Sequence, residues 1–218
     1  MVKPKKCKWC KNDFTPQNSL AQVCSYECSI ALARSNGLKK MESEKESLRA
    51  TKDKKKQESL VSALQVVINQ IAKEIDKGCT CISCGCEMRT KAKSANDSKG
   101  VNGGHYFGVG RNNSIRYNLF NIFAQCINCN KDKDGNGSNY AKNIRVLFGD
   151  EFLLYLLDLP AIYPSNKMFR FELQEAITRA KHILKGVIEM NEVDTLPRTP
   201  ERRWELRNQF NNYIGIYD

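Results

Sequence analysis

The sequence is short of histidine and of long apolar runs. Only two of its 218 residues are histidine, His105 and His182, so any chemistry that needs an imidazole depends on one of them. The longest apolar stretch, Phe152 to Leu157, is far shorter than the ~20 residues that cross a bilayer. Met1 to Cys10 is basic and is followed by no apolar run, unlike a secretory signal. We therefore expect a cytoplasmic protein with no membrane partner.

Acidic residues are scarce relative to basic ones. The chain has 24 Asp and Glu against 35 Lys and Arg, a formal net charge of +11. Such an excess favours polyanionic partners, above all nucleic acid. The excess is also uneven. The first eleven residues hold five lysines and no acid, and residues 89–116 hold six basic residues and one acid, Asp97. These two regions are the predicted nucleic-acid contacts.

Cysteine, in contrast, is abundant. Eight of the ten cysteines fall in pairs separated by two or three residues. In a reducing compartment such pairs indicate metal sites rather than a disulfide framework, which is the weaker alternative. Two pairs complete one tetrahedral zinc site. The predicted structural zinc sites are formed by Cys7, Cys10, Cys24 and Cys28 and by Cys81, Cys84, Cys126 and Cys129. Cys79 and Cys86 are predicted to be spare thiols.

The second set of cysteines encloses residues that can perform chemistry. Between its two pairs lie Gly103-Gly104-His105-Tyr106 and Asn121-Ile122, and Asn130 follows the last cysteine. This layout is typical of a zinc-stapled HNH nuclease, in which a β-hairpin and a helix form a ββα-metal unit. A four-cysteine zinc module without catalysis is the alternative.

In such a unit a histidine takes a proton from water while a divalent ion offsets charge on the phosphate. An imidazole suits this role, because its pKa of about 6.5 leaves it mostly neutral at cytoplasmic pH. His105 is the predicted base, because His182 lies in another part of the chain. His182 is predicted to be an exposed surface residue. Asn121 is predicted to hydrogen-bond near the backbone or ring of His105. Asn130 is predicted to ligate Mg²⁺ or Mn²⁺ through oxygen.

The pattern along the chain predicts an α+β protein that is mostly helical. Strands are expected at Val101–Val109 and Ser114–Phe123, and a helix carrying Asn130 and Lys133 is expected after Cys126. Apolar residues from Leu60 to Ile75 lie on one helical face. Further helices are expected toward the C-terminus, with an interruption at Gly149 and a stop at Pro160.

These elements suggest five regions. They are an N-terminal four-cysteine module at 1–35, a charged helix or linker at 36–58, a helix plus HNH-like unit at 59–137, a helical region at 138–190 and a loosely held basic tail at 191–218. The charged region reads either as a spacer or as a basic arm that contacts phosphates. Arg111, Arg116 and Lys133 are the predicted nucleic-acid contacts of the central unit.

The chain resembles the phage NinG (Rap) recombination protein family over most of its length, up to about Met190. The resemblance is carried by Cys81-Ile82-Ser83-Cys84-Gly85, Gly104-His105-Tyr106, Asn121-Ile122, Gln125-Cys126, Cys129-Asn130 and Lys133-Asp134-Gly135-Asn136. It implies a phage-encoded endonuclease that acts on branched recombination intermediates such as Holliday junctions and D-loops. Its partners would be branched DNA and phage or host recombination proteins.

The sequence departs from its relatives at candidate metal ligands. Asn102 stands where relatives tend to carry an acid, and Asp132 stands where they often carry a histidine. Asn102 reaches the side of His105 only if Gly103-Gly104 forms a bulge, since alternate strand residues face opposite ways. Both residues are retained as candidate ligands.

Two-fold symmetric junctions favour a homodimer or two binding events. The alternatives to an endonuclease are a non-catalytic zinc protein that binds nucleic acid and an RNA-binding or ribosome-associated zinc protein.

Overall fold

The computed structural model describes residues 3–89, 97–165, 167–194 and 197–217. The chain divides into two compact units, Met1–Lys56 and Gln57–Asp218. The described residues are mostly helical with two small antiparallel sheets, which confirms the predicted α+β class. Among them, no helix combines the length and the apolar character needed to cross a membrane.

The first unit begins with a short hairpin that shapes the N-terminal cysteine pair. Strand β1 (Lys5–Lys6) pairs antiparallel with β2 (Asp13–Phe14). Between them, the Cys7 amide donates to the Asn12 carbonyl at 2.9 Å and the Lys11 amide donates to the Cys7 carbonyl at 3.0 Å. Lys11 has a positive φ of 64°, as a tight knuckle requires.

Helix α1 (Tyr26–Ile75) is 50 residues long and contributes to both units. The Ser25 hydroxyl accepts a hydrogen bond from the Cys28 amide at 3.2 Å, which satisfies a free donor of the first turn. The charged stretch 39–56 is helical and exposed, so of the two predicted forms it takes the solvated helix. From Leu64 onward one face of α1 is buried.

The second unit is built around the hairpin of β3 (Val101–His105) and β4 (Ile122–Cys126). These strands pair from Val101↔Cys126 to His105↔Ile122 without a skipped residue. The second strand was predicted over Ser114–Phe123 but begins only at Ile122, because residues 113–115 and 119–121 form 3-10 turns instead. Side chains satisfy the amides there: Asn118 accepts from Phe120 at 2.9 Å and Asn211 accepts from Leu119 at 2.9 Å.

The hairpin lies between two apolar cores because its side chains alternate. On one face Ile122 packs with Leu64 and Ile68 of α1. On the other face Phe123 packs with Tyr140 and Phe152 of helix α2 (Gly137–Ile162). As predicted, Gly149 interrupts α2, with a φ of 88°. The helix nevertheless runs past Pro160 to Ile162.

Two glycines allow this close packing on both faces of β3. A Cβ atom at Gly103 would lie 3.0 Å from Asn69 Cβ and 3.2 Å from its backbone in α1. A Cβ atom at Gly104 would lie 2.8 Å from the Gln125 Cβ. The Tyr140 hydroxyl donates to the Gly104 carbonyl at 3.0 Å. A side chain at Gly104 would therefore displace the Gln125 side chain of β4.

The C-terminal region is part of the core, so the prediction of a loosely held tail is wrong. Helix α3 (Arg170–Val193) is followed by helix α4 (Pro200–Ile214). Thr199 caps α4 by accepting from the Arg202 amide at 3.3 Å. Leu206, Phe210 and Ile214 of α4 are buried in the same core as the apolar face of α1.

A buried ion network attaches α4 to the hairpin. The Asp76 carboxylate accepts from Arg203 Nε and Arg207 Nη2, both at 2.8 Å, and from the Ala124 amide of β4 at 2.7 Å. Arg207 Nη2 also donates to the Ile122 carbonyl at 3.3 Å. Burial raises the pKa of Asp76, but the charges of the two arginines outweigh burial and its pKa lies below the ordinary value.

Candidate active site and thiolate clusters

The eight predicted cysteine ligands form two thiolate clusters, each with all its sulfur atoms within 4.8 Å of one another. The first cluster contains Cys7, Cys10, Cys24 and Cys28, and the second contains Cys81, Cys84, Cys126 and Cys129. In the first, the Cys24 sulfur lies 3.5 Å from those of both Cys10 and Cys28.

The second cluster has the geometry of a closed zinc site. The Cys84 and Cys126 sulfurs are 3.8 Å apart, and a tetrahedral ion with zinc–sulfur bonds of about 2.3 Å separates its ligands by about 3.8 Å. The Cys126 amide donates to the Cys81 sulfur at 3.3 Å, and the Cys129 amide to the Cys126 sulfur at 3.4 Å. Such donors favour thiolates. The residues therefore fit zinc, whose role here would be structural.

The two other cysteines in this region lie outside the cluster, as predicted. Cys86 packs against the second cluster, and its carbonyl accepts from the Cys81 amide at 2.9 Å. Cys79 is half-buried, next to the turn that ends α1. Neither belongs to the group of four sulfurs.

His105 ends β3, and the surrounding hydrogen bonds determine which of its ring nitrogens is protonated. His105 Nε2 lies 3.0 Å from the Arg116 carbonyl and 3.3 Å from Gln65 Nε2. Arg116 Nε donates to Gln65 Oε1 at 3.0 Å, and the Gln65 NH₂ group donates to Asn69 Oδ1 at 2.9 Å and to the Arg116 carbonyl at 3.2 Å. The Arg116 carbonyl can only accept, so all these hydrogen bonds are satisfied when Nε2 carries the proton and Nδ1 the lone pair. This arrangement leaves Nδ1 as the basic nitrogen.

The environment of His105 keeps its imidazole neutral. Burial lowers the pKa of His105 below its ordinary value, and the positive charge of Arg116 acts in the same direction. The hydrogen bond to the Arg116 carbonyl partly opposes them by favouring the protonated ring. The net lowering leaves the ring ready to accept a proton near neutral pH.

Asn121 is fully buried and holds the chain just after His105. Its carbonyl accepts from the Tyr106 amide at 2.9 Å, and its Oδ1 accepts from the Phe107 amide at 2.8 Å. Its Nδ2 donates to the Phe107 carbonyl at 3.1 Å. Asn121 therefore acts near the His105 backbone, one of the two placements predicted, whereas the ring is held by Arg116.

A cleft of about 390 Å³ opens beside His105. It is lined by His105, Tyr106, Gly108, Val109, Gly110, Arg111, Asn130, Asp134 and Gly135. Three predicted site residues, His105, Asn130 and Arg111, thus meet at one place. Asn130 lies in the single helical turn Asn128–Asp132 that contains the last cysteine of the second cluster.

Asp134 lines this cleft, although the sequence analysis did not select it as a candidate site residue. Its carboxylate lies 3.9 Å from the Arg111 guanidinium, and both side chains are exposed. Asp134 has a φ of 45° in the turn that separates Asn130 from α2. The available signal was an acid four residues after Asn130, but Asp134 was used only among the residues that carry the family resemblance.

The other predicted site residues do not line this cleft. The unbroken register of β3 and β4 leaves no bulge at Gly103-Gly104, so Asn102 lies on the hairpin face opposite His105. Asp132 and Lys133 are exposed outside the lining. The Arg116 side chain lines a different cleft and donates to Gln65 Oε1 and Asn113 Oδ1, both at 3.0 Å. His182 is exposed, as predicted.

Comparison with known proteins identifies relatives over most of the chain. The family model described as bacteriophage lambda NinG protein matches residues 1–189. Protein ninG of Escherichia phage 933W is 30% identical over 169 residues, which cover 69% of this chain and 80% of that protein. Protein ninG of Escherichia phage lambda is 29% identical over 172 residues, covering 69% and 79%. No solved structure matches the chain.

Proposed function

Since this chain belongs to the family of the bacteriophage lambda NinG protein, we propose that it is a metal-dependent endonuclease of the HNH type that cuts branched DNA. The observation that carries the proposal is the state of His105. Its Nε2 is bound to the Arg116 carbonyl, so Nδ1 is the nitrogen that can accept a proton, and His105 lines a cleft that also contains Asn130 and Asp134.

The hairpin and the turn after it supply the parts of a ββα-metal unit. Strand β3 ends in the base, β4 ends in the ligand Cys126, and the turn with Cys129 carries Asn130. A zinc ion at the second cluster would fasten this turn to the end of β4. The cleft would then keep its shape while a phosphate enters.

The chemistry follows from these positions. His105 Nδ1 takes a proton from a water molecule, the water oxygen attacks phosphorus, and the bond to the 3′ oxygen breaks. A divalent ion such as Mg²⁺ or Mn²⁺ supplies charge stabilisation for the phosphate and the leaving oxygen. The amide oxygen of Asn130 and the carboxylate of Asp134 are the donors in the cleft that suit such an ion. Arg111 adds positive charge for the phosphate.

The substrate assignment comes from charge and from the family resemblance. A net charge of +11 favours DNA as a partner, and the resemblance adds branched recombination intermediates. A homodimer, or two binding events, would allow both strands of a symmetric junction to be cut.

The direct test is cleavage of synthetic four-way, D-loop and linear DNA, with and without added Mg²⁺. His105→Ala should reduce the cleavage rate by at least about 100-fold, since general-base catalysis contributes about 10² to 10⁴. DNA affinity and zinc content should stay near those of the wild type, because the His105 ring lies outside both clusters.

His182→Ala is the matched control and should cleave at the wild-type rate, since His182 is exposed on α3. If His105→Ala cuts a junction as fast as the wild type, the protein is instead a non-catalytic zinc protein that binds nucleic acid.

The cleavage rate should rise with pH through a midpoint below 6.5 and then level off. The neutral imidazole is the active form, its fraction grows as pH rises through the pKa, and burial lowers that pKa. Single-turnover rates at saturating DNA from about pH 5 to 8 measure the midpoint, with DNA affinity followed over the same range. A midpoint above the ordinary histidine value would contradict the burial described for His105.

Asp134→Ala should weaken activation by Mg²⁺, so that the Mg²⁺ concentration for half-maximal cleavage rises and saturating Mg²⁺ restores much of the rate. Asp132→Ala is the matched control, because it removes the same charge from an exposed position two residues away, outside the cleft. Titration of the rate with Mg²⁺ separates the two. Equal curves for both variants would remove Asp134 from the metal site.

A further inference from the structure

Two exposed aromatic rings lie together at the start of α3. Phe169 and Phe171 are 70% and 65% exposed, and their ring planes differ by only 6° with centroids 6.0 Å apart. Their backbone is well held. The Phe169 amide donates to Glu172 Oε2 at 2.6 Å, and the Leu173 amide donates to the Phe169 carbonyl at 3.1 Å. Leu173 itself is buried in the core. The pair is thus an exposed stack of two parallel aromatic rings on a well-ordered backbone.

Basic residues flank this pair in the sequence, and the segment just before it lines the cleft that contains Arg116. Lys167 and Arg170 flank Phe169 in the sequence. Lys167 and Met168 line a cleft of about 230 Å³ together with Arg116. The Arg116 carbonyl is the group that binds His105 Nε2. The nearby acid Glu172 has its carboxylate bound to the Phe169 amide.

The sign of the charge distinguishes this surface from the larger apolar groove of the same unit. That groove, of about 650 Å³ between α2 and α4, contains Trp204 but is rimmed by Glu151, Glu201 and Glu205. Glu151 and Glu201 repel a phosphate backbone, and Glu205 is paired with Arg202 at 2.9 Å, whereas Lys167 and Arg116 attract one. The Phe169–Phe171 pair is therefore the aromatic surface suited to nucleic acid.

We propose that Phe169 and Phe171 form a stacking platform for unpaired bases of single-stranded DNA. Every base has a flat face that stacks on an aromatic ring, so such a platform binds without sequence preference. Bases within a duplex are already stacked on their neighbours and do not offer these faces. The inference rests on the proposed function to the extent that branched intermediates such as D-loops expose unpaired bases beside the strand to be cut.

The test measures binding of a fluorescent 20-nucleotide single strand and of a duplex of the same length to the full chain. The Phe169→Ala/Phe171→Ala double variant should bind the single strand about tenfold more weakly or worse, as expected for lost stacking. Its duplex affinity and the salt dependence of binding should not change, because no phosphate contact is removed. The fluorescence of a 2-aminopurine base in the strand should be quenched when the wild type binds but not when the double alanine variant binds.

Two control variants define the effect. Leu154→Ala removes another exposed apolar side chain, on α2, and should bind both DNAs like the wild type. Phe169→Tyr/Phe171→Tyr keeps both rings and should retain single-strand affinity. Equal single-strand affinity of the double alanine variant and the wild type overturns the proposal. A loss of self-association without a loss of DNA affinity overturns it as well, since the pair would then be a protein contact.

The outcome is separable from that of the nuclease proposal. His105→Ala should bind single strands like the wild type while it fails to cleave. The double alanine variant should cleave bound DNA at the wild-type rate when DNA is saturating. If neither the wild type nor any variant cleaves DNA, but the double alanine variant still binds single strands more weakly than the wild type, the stacking platform is supported and the nuclease proposal fails.

Discussion

We expect two zinc ions in the wild type and one in a Cys84→Ser protein, and the unit formed by residues 57–218 should lose its cooperative thermal transition in this variant. Cys84 is one of the four sulfurs of the second cluster. A structural zinc ion contributes on the order of 10 kcal/mol to folding, which is comparable with the whole stability of a domain, about 5–15 kcal/mol. Metal analysis and thermal unfolding followed by circular dichroism measure both effects.

Cys79→Ser is the matched control for this experiment. Cys79 lies outside the cluster, and its replacement should leave two zinc ions per chain and a nearly unchanged melting temperature. A wild-type protein that carries a single zinc ion would show that one of the two clusters is not a zinc site.

An Asp76→Asn protein should be destabilised by about 3–5 kcal/mol, because two buried guanidinium groups lose the charge that compensates them. Arg207 is fully buried and Arg203 is 4% exposed. Asparagine keeps the shape of the side chain and an oxygen for the Ala124 amide, so the loss reports charge rather than volume. Urea unfolding at neutral pH measures the difference in free energy.

The control for Asp76 is an exposed ion pair on α4, the helix that carries Arg203 and Arg207. Arg202 Nη1 lies 2.9 Å from Glu205 Oε2 on the surface of α4, and Arg202→Ala should cost less than about 1 kcal/mol. If Asp76→Asn also lowers the free energy of unfolding by less than about 1 kcal/mol, the buried network does not attach α4 to the hairpin.

This network also gives the stability a pH dependence. The pKa of Asp76 is lower in the folded protein than in the unfolded chain. Its stabilising effect is therefore fully present above the unfolded value, about 3.9, and is lost as pH falls through the folded value.

The cysteine clusters were predictable because their information is local. The spacing of Cys81 and Cys84 alone permits both to reach one ion, and the second pair only has to be brought close. The interruption of α2 at Gly149 was equally local, since glycine alone adopts a φ of 88° without cost. The second strand was predicted too early, because the amides of Tyr117, Leu119 and Phe120 are satisfied by distant or local side chains that strand propensity does not reveal.

The orientation of His105 could not be read from residue types. The group that holds its ring is a backbone carbonyl, which every residue possesses, and Arg116 was selected only for its charged side chain. The burial of Arg203 and Arg207 was hidden for a different reason. Their partner Asp76 precedes them by 127 and 131 residues, so the tail looked like an ordinary solvated basic segment.

Because of that long separation in sequence, the central unit can complete its folding only after nearly the whole chain has been synthesised. While a ribosome is still adding residues, the hairpin that bears His105 has a carboxylate beneath it with no cation, since both arginines belong to α4 near the end of the chain. The hairpin reaches its final packing only after α4 has emerged and folded back. A protein truncated after residue 189, where the family match ends, would lack α4 and both arginines. We therefore expect its hairpin to stay incompletely packed, with the Asp76 carboxylate uncompensated.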